Sequence, residues 1–203
     1  MPEETKKTAD DYHFFYGGPF SQWASVPMVI DGTKYSSCEQ YMMSEKAKLF
    51  GDDEMYAKIM ASDDPQEQKM KFGRNVKNFN QDIWQQHARE IVYRGNYAKM
   101  TQDARCLEAL ANSRGKMIVE ASPYDKIWGI GLGEGDPRIL DESQWQGTNW
   151  LGEVIMQVRD DLEKEGWFAY FDDRIQEEIE EPEDDFEWNE GLLEKPDDSK
   201  YLE

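Results

Sequence analysis

The sequence predicts a mainly helical α+β fold: one domain with a small β-hairpin and an acidic C-terminal tail. Three observations predict it. Apolar residues recur at helical spacing through the body, as in Ile83, Trp84, His87, Ile91 and Tyr97, and in Trp150, Leu151, Val154, Ile155 and Val158. An Asp31-Gly32 pair stands between two short apolar runs, a strong short-range hairpin signal. Beyond Gly166 the composition turns acidic. A chain of 203 residues suits one domain with an appendage.

The elements follow in order. Residues 1–12 read as a polar lead-in. Phe14-Phe15-Tyr16 is a short apolar run closed by the turn signal Gly17-Gly18-Pro19. Residues 27–35 form the hairpin. Ser36-Ser37 offers an N-cap for a helix through Tyr41, Met42, Ala47 and Phe50, with Glu39 and Gln40 near its first turn. Further helices are expected near 53–61, 65–76, 80–101 and 103–113, with Pro65 at a helix N1 position. Met117–Glu120 reads as a strand, and 121–148 as a long glycine-bearing loop. A final helix begins near Trp150. The expected organisation is a lead-in at 1–12, a catalytic body at 13–165 and an acidic extension at 166–203. Residues 172–203 read as partly disordered, although they hold Ile175, Ile179, Phe186, Trp188, Leu192 and Leu193.

Charge narrows the function classes. Residues 11–162 carry a net −6 and residues 163–203 a net −13, out of −20 for the whole chain. A body at −6 lacks the basic footprint of a duplex-DNA binder, but a few local cations suffice for a small anionic ligand. No apolar run approaches a membrane span, and the N-terminus shows no secretory h-region. Cys38 and Cys106, like His13 and His87, lack metal-ligand spacing, so no metal or cofactor is expected and a reduced, cytoplasmic setting fits.

The most informative stretch runs from Ile118 to Gly129. An apolar run ends in the carboxylate Glu120, and a turn with Pro123 then carries Asp125, Trp128 and Gly129. An acid just before Trp-Gly fits a pocket for a flat, polar ligand, although a strand end with an acidic turn and a core Trp explains it equally well. Glu39, at the positive end of a helix, is expected to stay ionised there. Two acids from distant segments suit glycosidic cleavage: one stabilises a cationic sugar, the other manages a proton or a water. Which of the two orients the water stays open. Lys46 lies two helical turns after Glu39, and Arg74 and Lys99 are further cations able to hold phosphate. Trp23, Trp84, Trp128 and Trp150 are able to stack on a base, and two of the four are expected to be simply core or partly buried. The glycines from 129 to 135 match no phosphate-cradling motif, and no Ser-His-Asp arrangement is suggested.

Several blocks resemble one family when taken in order over residues 14–162. They are Phe15-Tyr16 with Pro19-Phe20-Ser21-Gln22-Trp23, then Ile30-Asp31-Gly32 with Tyr35, Ser37, Glu39, Tyr41 and Lys46. Gly73-Arg74, Trp84 and Ala98-Lys99-Met100 follow, then Val119-Glu120, Asp125, Trp128-Gly129, Asn149-Trp150-Leu151-Gly152 and Val158-Arg159. The pattern is similar to the NADAR or YbiA-like family, whose founding members are N-glycosidases. The resemblance implies a YbiA-like, mainly helical α+β domain that hydrolyses ribose–nitrogen bonds in phosphoribosyl or ADP-ribosyl compounds. Substrates of such relatives are early riboflavin-pathway intermediates and ADP-ribosyl-guanine. It implies Glu39, Trp84 and Asp125 as residues linked to activity, and Trp23, Tyr41, Lys46, Arg74, Lys99, Trp128, Gly129 and Asn149 around the substrate. Gln22-Trp23 replaces the usual Asn-Phe, and Gln40 stands where many relatives have His, which bears on substrate preference. Residues 132–146 read as an enlarged loop suited to form a lid.

Three partner readings follow. A small phosphoribosyl or ADP-ribosyl substrate leads. The second puts the same chemistry on modified single-stranded nucleic acid. The third is non-catalytic: an ADP-ribose sensor, or an acidic decoy whose 166–203 tail occupies a protein partner.

Overall fold

The computed structural model describes residues 7–169 and 171. The tail reading for 172–203 lies outside them.

Among the described residues, four strands and six helices follow one another along the chain. They are β1 (Tyr12–Phe15), β2 (Met28–Ile30), β3 (Thr33–Tyr35), α1 (Cys38–Leu49), α2 (Asp53–Met60), α3 (Pro65–Glu67), α4 (Gln81–Gln102), α5 (Ala104–Asn112), β4 (Met117–Glu120) and α6 (Trp150–Lys164). The expected α+β class stands, as does the hairpin. β2 and β3 pair antiparallel, with Ile30 opposite Thr33. Asp31 and Gly32 both take positive φ, 50° and 75°, the geometry that makes Asp-Gly a hairpin turn. Ser37 caps α1 by accepting from the Gln40 amide at 3.1 Å. Asp64 caps α3, with Pro65 at its first position.

The stretch expected as one helix over 65–76 is not uniform. α3 runs into a π-helical turn at Gln68–Phe72 and then a 3-10 turn at Gly73–Asn75. Buried Gln68 donates its side-chain amide to the Ser62 carbonyl. A Cβ at Gly73 would collide with the Met43 thioether on α1, so this position needs the smallest residue.

The second sheet decides where the site lies. β1 and β4 pair in parallel, Phe15 opposite Glu120, although about a hundred residues separate them. A parallel pair needs a crossover, and α1 to α5 supply it. Parallel pairing also sends both following loops out at the same end. The loop after β1 carries Trp23, and the loop after β4 carries Asp125 and Trp128.

The main core lies between α1, α4, α5 and α6 and includes Met42, Val92, Leu110, Ile118, Ile155 and Val158. Phe168, 1% exposed, and Phe171 join it, so packing continues past residue 165. The 132–146 segment is not poised as a lid. Leu132 and Ile139 are buried with Tyr12, Val119, Ala121 and Ile130 in a core of their own. The Trp145 indole donates to the Ile139 carbonyl, and the Tyr12 hydroxyl to Glu142. Apolar side chains spaced along the loop pin it to the sheet.

Candidate active site

Glu39 is the second residue of α1, and its amide donates to the Gln22 carbonyl at 2.9 Å. That bond ties the helix start to the loop after β1. The side chain is 1% exposed, and Oε1 has no hydrogen-bond partner. The expectation that the helix terminus keeps this acid ionised is corrected. Burial outweighs it and pushes the pKa up to about 7, opposed by Lys69, a hydrogen bond from Trp23 and the charge of Lys46.

Asp125 is oriented by its own loop. Its Oδ1 accepts from the Ile127 and Trp128 amides at 2.9 and 2.8 Å, and Lys69 Nζ lies 3.5 Å from Oδ2. Lys69 Nζ also lies 5.8 Å from the centre of the Trp23 ring. The π-helical turn therefore delivers a cation to both loops that follow the parallel strands. Such turns are frequent at functional sites.

Glu120 completes the acidic group. Burial and the charges of Asp125 and Glu39 push its carboxyl up to about 7, and Lys69 opposes them. Its Oε2 is buried without a partner. Three carboxyls from α1, the end of β4 and the following loop thus converge on Lys69.

The side chains around Lys46 are aromatic and cationic. Lys46 Nζ donates to the Gly73 carbonyl at 2.7 Å and sits 4.2 Å from the Phe79 ring centre and 5.6 Å from that of Trp84. Burial lowers its pKa, Glu39 raises it and Arg74 lowers it. Arg74, exposed, therefore belongs to the same electrostatic group. Beside them opens a cleft of about 180 Å³ lined by Gln81, Trp84, Gln85, Ile127, Trp128, Thr148 and Trp150. Sites for whole ligands run to roughly 300–1,000 Å³, so this cleft suits one flat ring system, not an entire nucleotide. Trp128 and Trp150 meet edge to face at 5.8 Å. None of the four tryptophans expected near a base is fully buried, and Trp23 is 42% exposed. Trp84, Trp128 and Trp150 are partly buried, and Trp84 and Trp128 pack against the main core, which meets the expectation that two of the four are core or partly buried.

Four expected substrate-binding residues lie elsewhere and support the site from behind. Tyr41 is two residues from Glu39, about 200° round the helix, and packs in the hairpin core against Tyr35. Lys99 is fully buried, and its Nζ donates to the Ser21 carbonyl at 3.1 Å, bracing the loop that carries Trp23. Asn149, in left-handed conformation with φ 54°, bridges the Ile118 carbonyl and the Glu120 amide. Gly129 lets the 121–128 turn close, since a Cβ there would lie 3.0 Å from the Glu120 carbonyl oxygen and from Ser122 Cβ. Gln40 also serves structure, donating to the Ile59 and Ser62 carbonyls.

Lys69 and Glu120 are absent from the site that sequence reasoning assembled. Lys69 had no signal, being one lysine of Lys69-Met70-Lys71 in a helical stretch. Glu120 had one: it ends the buried run five residues before Asp125.

A family model described as the NADAR domain matches residues 12–163. The chain belongs to the NADAR family. Over 166 residues it is 42% identical to N-glycosidase R617 of Acanthamoeba polyphaga mimivirus, covering 75% of this chain and 96% of that protein. It is 40% identical over 131 residues to Protein irg-1 of Caenorhabditis elegans, spanning 64% of this chain and 61% of that one. N-glycosidase YbiA of Escherichia coli is 27% identical over 155 residues, 76% of this chain and 84% of that one. The NMR structure of E. coli YbiA superposes with a TM-score of 0.62 at 22% identity, over 92% of this chain and all of that one, a likeness of fold. No helix among the described residues of this NADAR protein is long and apolar enough to cross a membrane.

Proposed function

We propose that this NADAR protein hydrolyses the ribose–nitrogen bond of a phosphoribosyl or ADP-ribosyl compound. The observation that carries the reading is Glu39: a buried carboxyl with an unpartnered oxygen, grouped with Asp125 and Lys69 beside an aromatic cleft. A carboxyl oxygen buried without a partner costs stability, and acids kept in that condition cluster at functional sites. The names of the mimivirus and bacterial relatives support the same reaction class.

Breaking a ribose–nitrogen bond builds positive charge at the anomeric carbon. Asp125, whose orientation two backbone amides fix, suits electrostatic stabilisation of that charge. Glu39, poised near neutrality, suits proton exchange with the attacking water. Trp84, Trp128 and Trp150 take the flat base. Lys46 and Arg74 at the rim suit phosphate oxygens, with Trp23 and Lys69 on the acidic side. The chemistry calls for no metal.

The test is hydrolysis of a panel by the purified protein, read by mass spectrometry. The panel holds a phosphoribosylamino-pyrimidine, ADP-ribose, NAD and ADP-ribosyl-guanine in a single-stranded oligonucleotide. Base release that is lost in Asp125→Asn and Glu39→Gln, both folded, supports the reading and names the substrate class. Release from the oligonucleotide alone moves the substrate to nucleic acid. Nucleotide binding without turnover overturns the hydrolase in favour of a sensor.

A further inference from the structure

We propose that Glu120 is the proton donor to the departing base, working as a pair with Glu39. The proposal rests on the hydrolase reading above and adds a residue to it.

The geometry holds Glu120 unusually well for a strand end. Its amide donates to Asn149 Oδ1 at 3.0 Å, its carbonyl accepts from the Ile130 amide at 3.0 Å, and the next amide, of Ala121, donates to the Phe15 carbonyl at 2.7 Å. The backbone is thus pinned by β1, by the N-cap of α6 and by Ile130 of the following loop. In the side chain, Oε2 is buried and has no hydrogen-bond partner. Glu39 Oε1 is in the same condition. A fold that fixes the backbone on both sides of an acid and buries one of its carboxyl oxygens away from any protein donor suits that carboxyl to a functional role.

The charges around the pair are unequal to it. Glu39 faces Lys69, the Trp23 indole, Asp125 and Lys46, and Glu120 faces Asp125, Lys69 and Glu39. Among the described residues, Lys69 is a cation that acts on both acids, and Asp125 already lies against it. Two carboxyls whose charges act on each other, Glu39 buried and Glu120 half-buried, resist ionising together, which favours one proton on the pair near neutral pH. Burial pushes each up to about 7, consistent with that state. One carboxyl is then an acid and the other a base, the two forms that hydrolysis consumes.

The step balances. The ribose–nitrogen bond breaks and its electron pair stays on the base nitrogen. That nitrogen takes the carboxyl proton of Glu120, which becomes a carboxylate. The water oxygen bonds to the anomeric carbon and gives its proton to the Glu39 carboxylate. Sugar hydroxyl and protonated base depart, the proton has moved from Glu120 to Glu39, and exchange with solvent restores the pair.

Two experiments decide it. On the panel compound that releases its base, kcat of the unaltered protein should fall at high pH as the donor is lost. Glu120→Gln should cut kcat about a hundredfold or more and abolish that basic limb, whereas Glu120→Asp, which keeps a carboxyl, should retain it. A Glu120→Gln enzyme with near-normal kcat and the same basic limb overturns the proposal. The second needs no substrate: carbon-13 NMR titration of the glutamate carboxyls. Without its neighbour, Glu120 should titrate at lower pH in Glu39→Gln, since the Glu39 charge raises it, and an unmoved midpoint overturns the pairing. If the unaltered protein hydrolyses nothing while this shift is seen, the hydrolase reading and the donor role fall together and the carboxyl pair alone stands.

Discussion

Asn149 does for Glu120 what a neighbouring strand would. Its Oδ1 accepts the Glu120 amide and its Nδ2 donates to the Ile118 carbonyl, both at 3.0 Å. Each partner lies on the edge of β4 that no strand covers, since β4 pairs only with β1 among the described residues. The left-handed backbone at Asn149, which Asn tolerates better than most residues, turns the carboxamide back onto the strand while α6 starts. The same residue therefore starts a helix and fixes the residue before the Asp125 loop.

Removing that bridge should cost stability. Asn149→Ala loses two buried hydrogen bonds, each worth about 1 kcal/mol, and leaves the Glu120 amide and Ile118 carbonyl unpaired. A fall of several degrees in the unfolding temperature is expected, together with weaker activity. Asn149→Asp keeps the acceptor for Glu120 but sets an oxygen against the Ile118 carbonyl, so it should rescue little. An Asn149→Ala melting point within a degree of the unaltered protein would dismiss the bridge.

Gly152 guards the same junction. A Cβ there would run into the Ile118 carbonyl and lie 2.5 Å from Asn149 Nδ2. Gly152→Ala raises helix propensity by about 1 kcal/mol in isolation, yet should destabilise the protein in urea titration because strand, helix and carboxamide cannot all hold their places. A stabilised Gly152→Ala protein would contradict this packing.

The buried acids make stability depend on pH in a stated direction. Glu39 rises from 4.5 to about 7 on folding, so the folded state binds its proton more tightly. That contribution is fully present below about pH 4.5 and is lost as pH rises through about 7. Glu39→Gln should therefore be more stable than the unaltered protein at pH 8, by something on the order of 2 kcal/mol, and gain little at pH 4. Urea midpoints at the two pH values check it. An equal effect at both would mean that Glu39 does not pay for ionisation in the folded state.

Lys69 lowers the pKa of both Glu39 and Glu120. Lys69→Gln removes that support, so both acids should titrate higher. The acidic limb of the pH–rate profile, which reports ionisation of the water-activating acid, should move up by about one unit. Lys69→Arg should restore its position. An unmoved limb in Lys69→Gln would separate this lysine from the acids.

Trp84 lines the cleft and faces Lys46. Stacking of a base on an aromatic ring is worth roughly 1–3 kcal/mol by alanine substitution. Trp84→Ala should raise KM about tenfold or more, and Trp84→Phe should recover most of it. A change in kcat alone would place Trp84 with the chemistry instead of the binding of the base.

The sequence by itself determined the local elements. Asp31-Gly32 dictates its hairpin because few other pairs take two positive φ values cheaply, and Ser37 and Pro65 start helices through capping and a preset φ. It also marked Glu39 and Asp125, because an acid at a helix start and an acid before Trp-Gly are readable as patterns. It could not reveal what burial does: the helix dipole argument at Glu39 is correct in sign, and desolvation overrides it. Nor could it sort Tyr41, Lys99 and Asn149 from the pocket, since matching positions do not say which way a side chain turns. Only the tertiary structure decided the membership of the site. Parallel pairing of β1 with β4 brings two loops a hundred residues apart to one end, and a π-helical turn sets Lys69 among three carboxyls. Both depend on contacts between segments far apart in the chain, which no local spacing records.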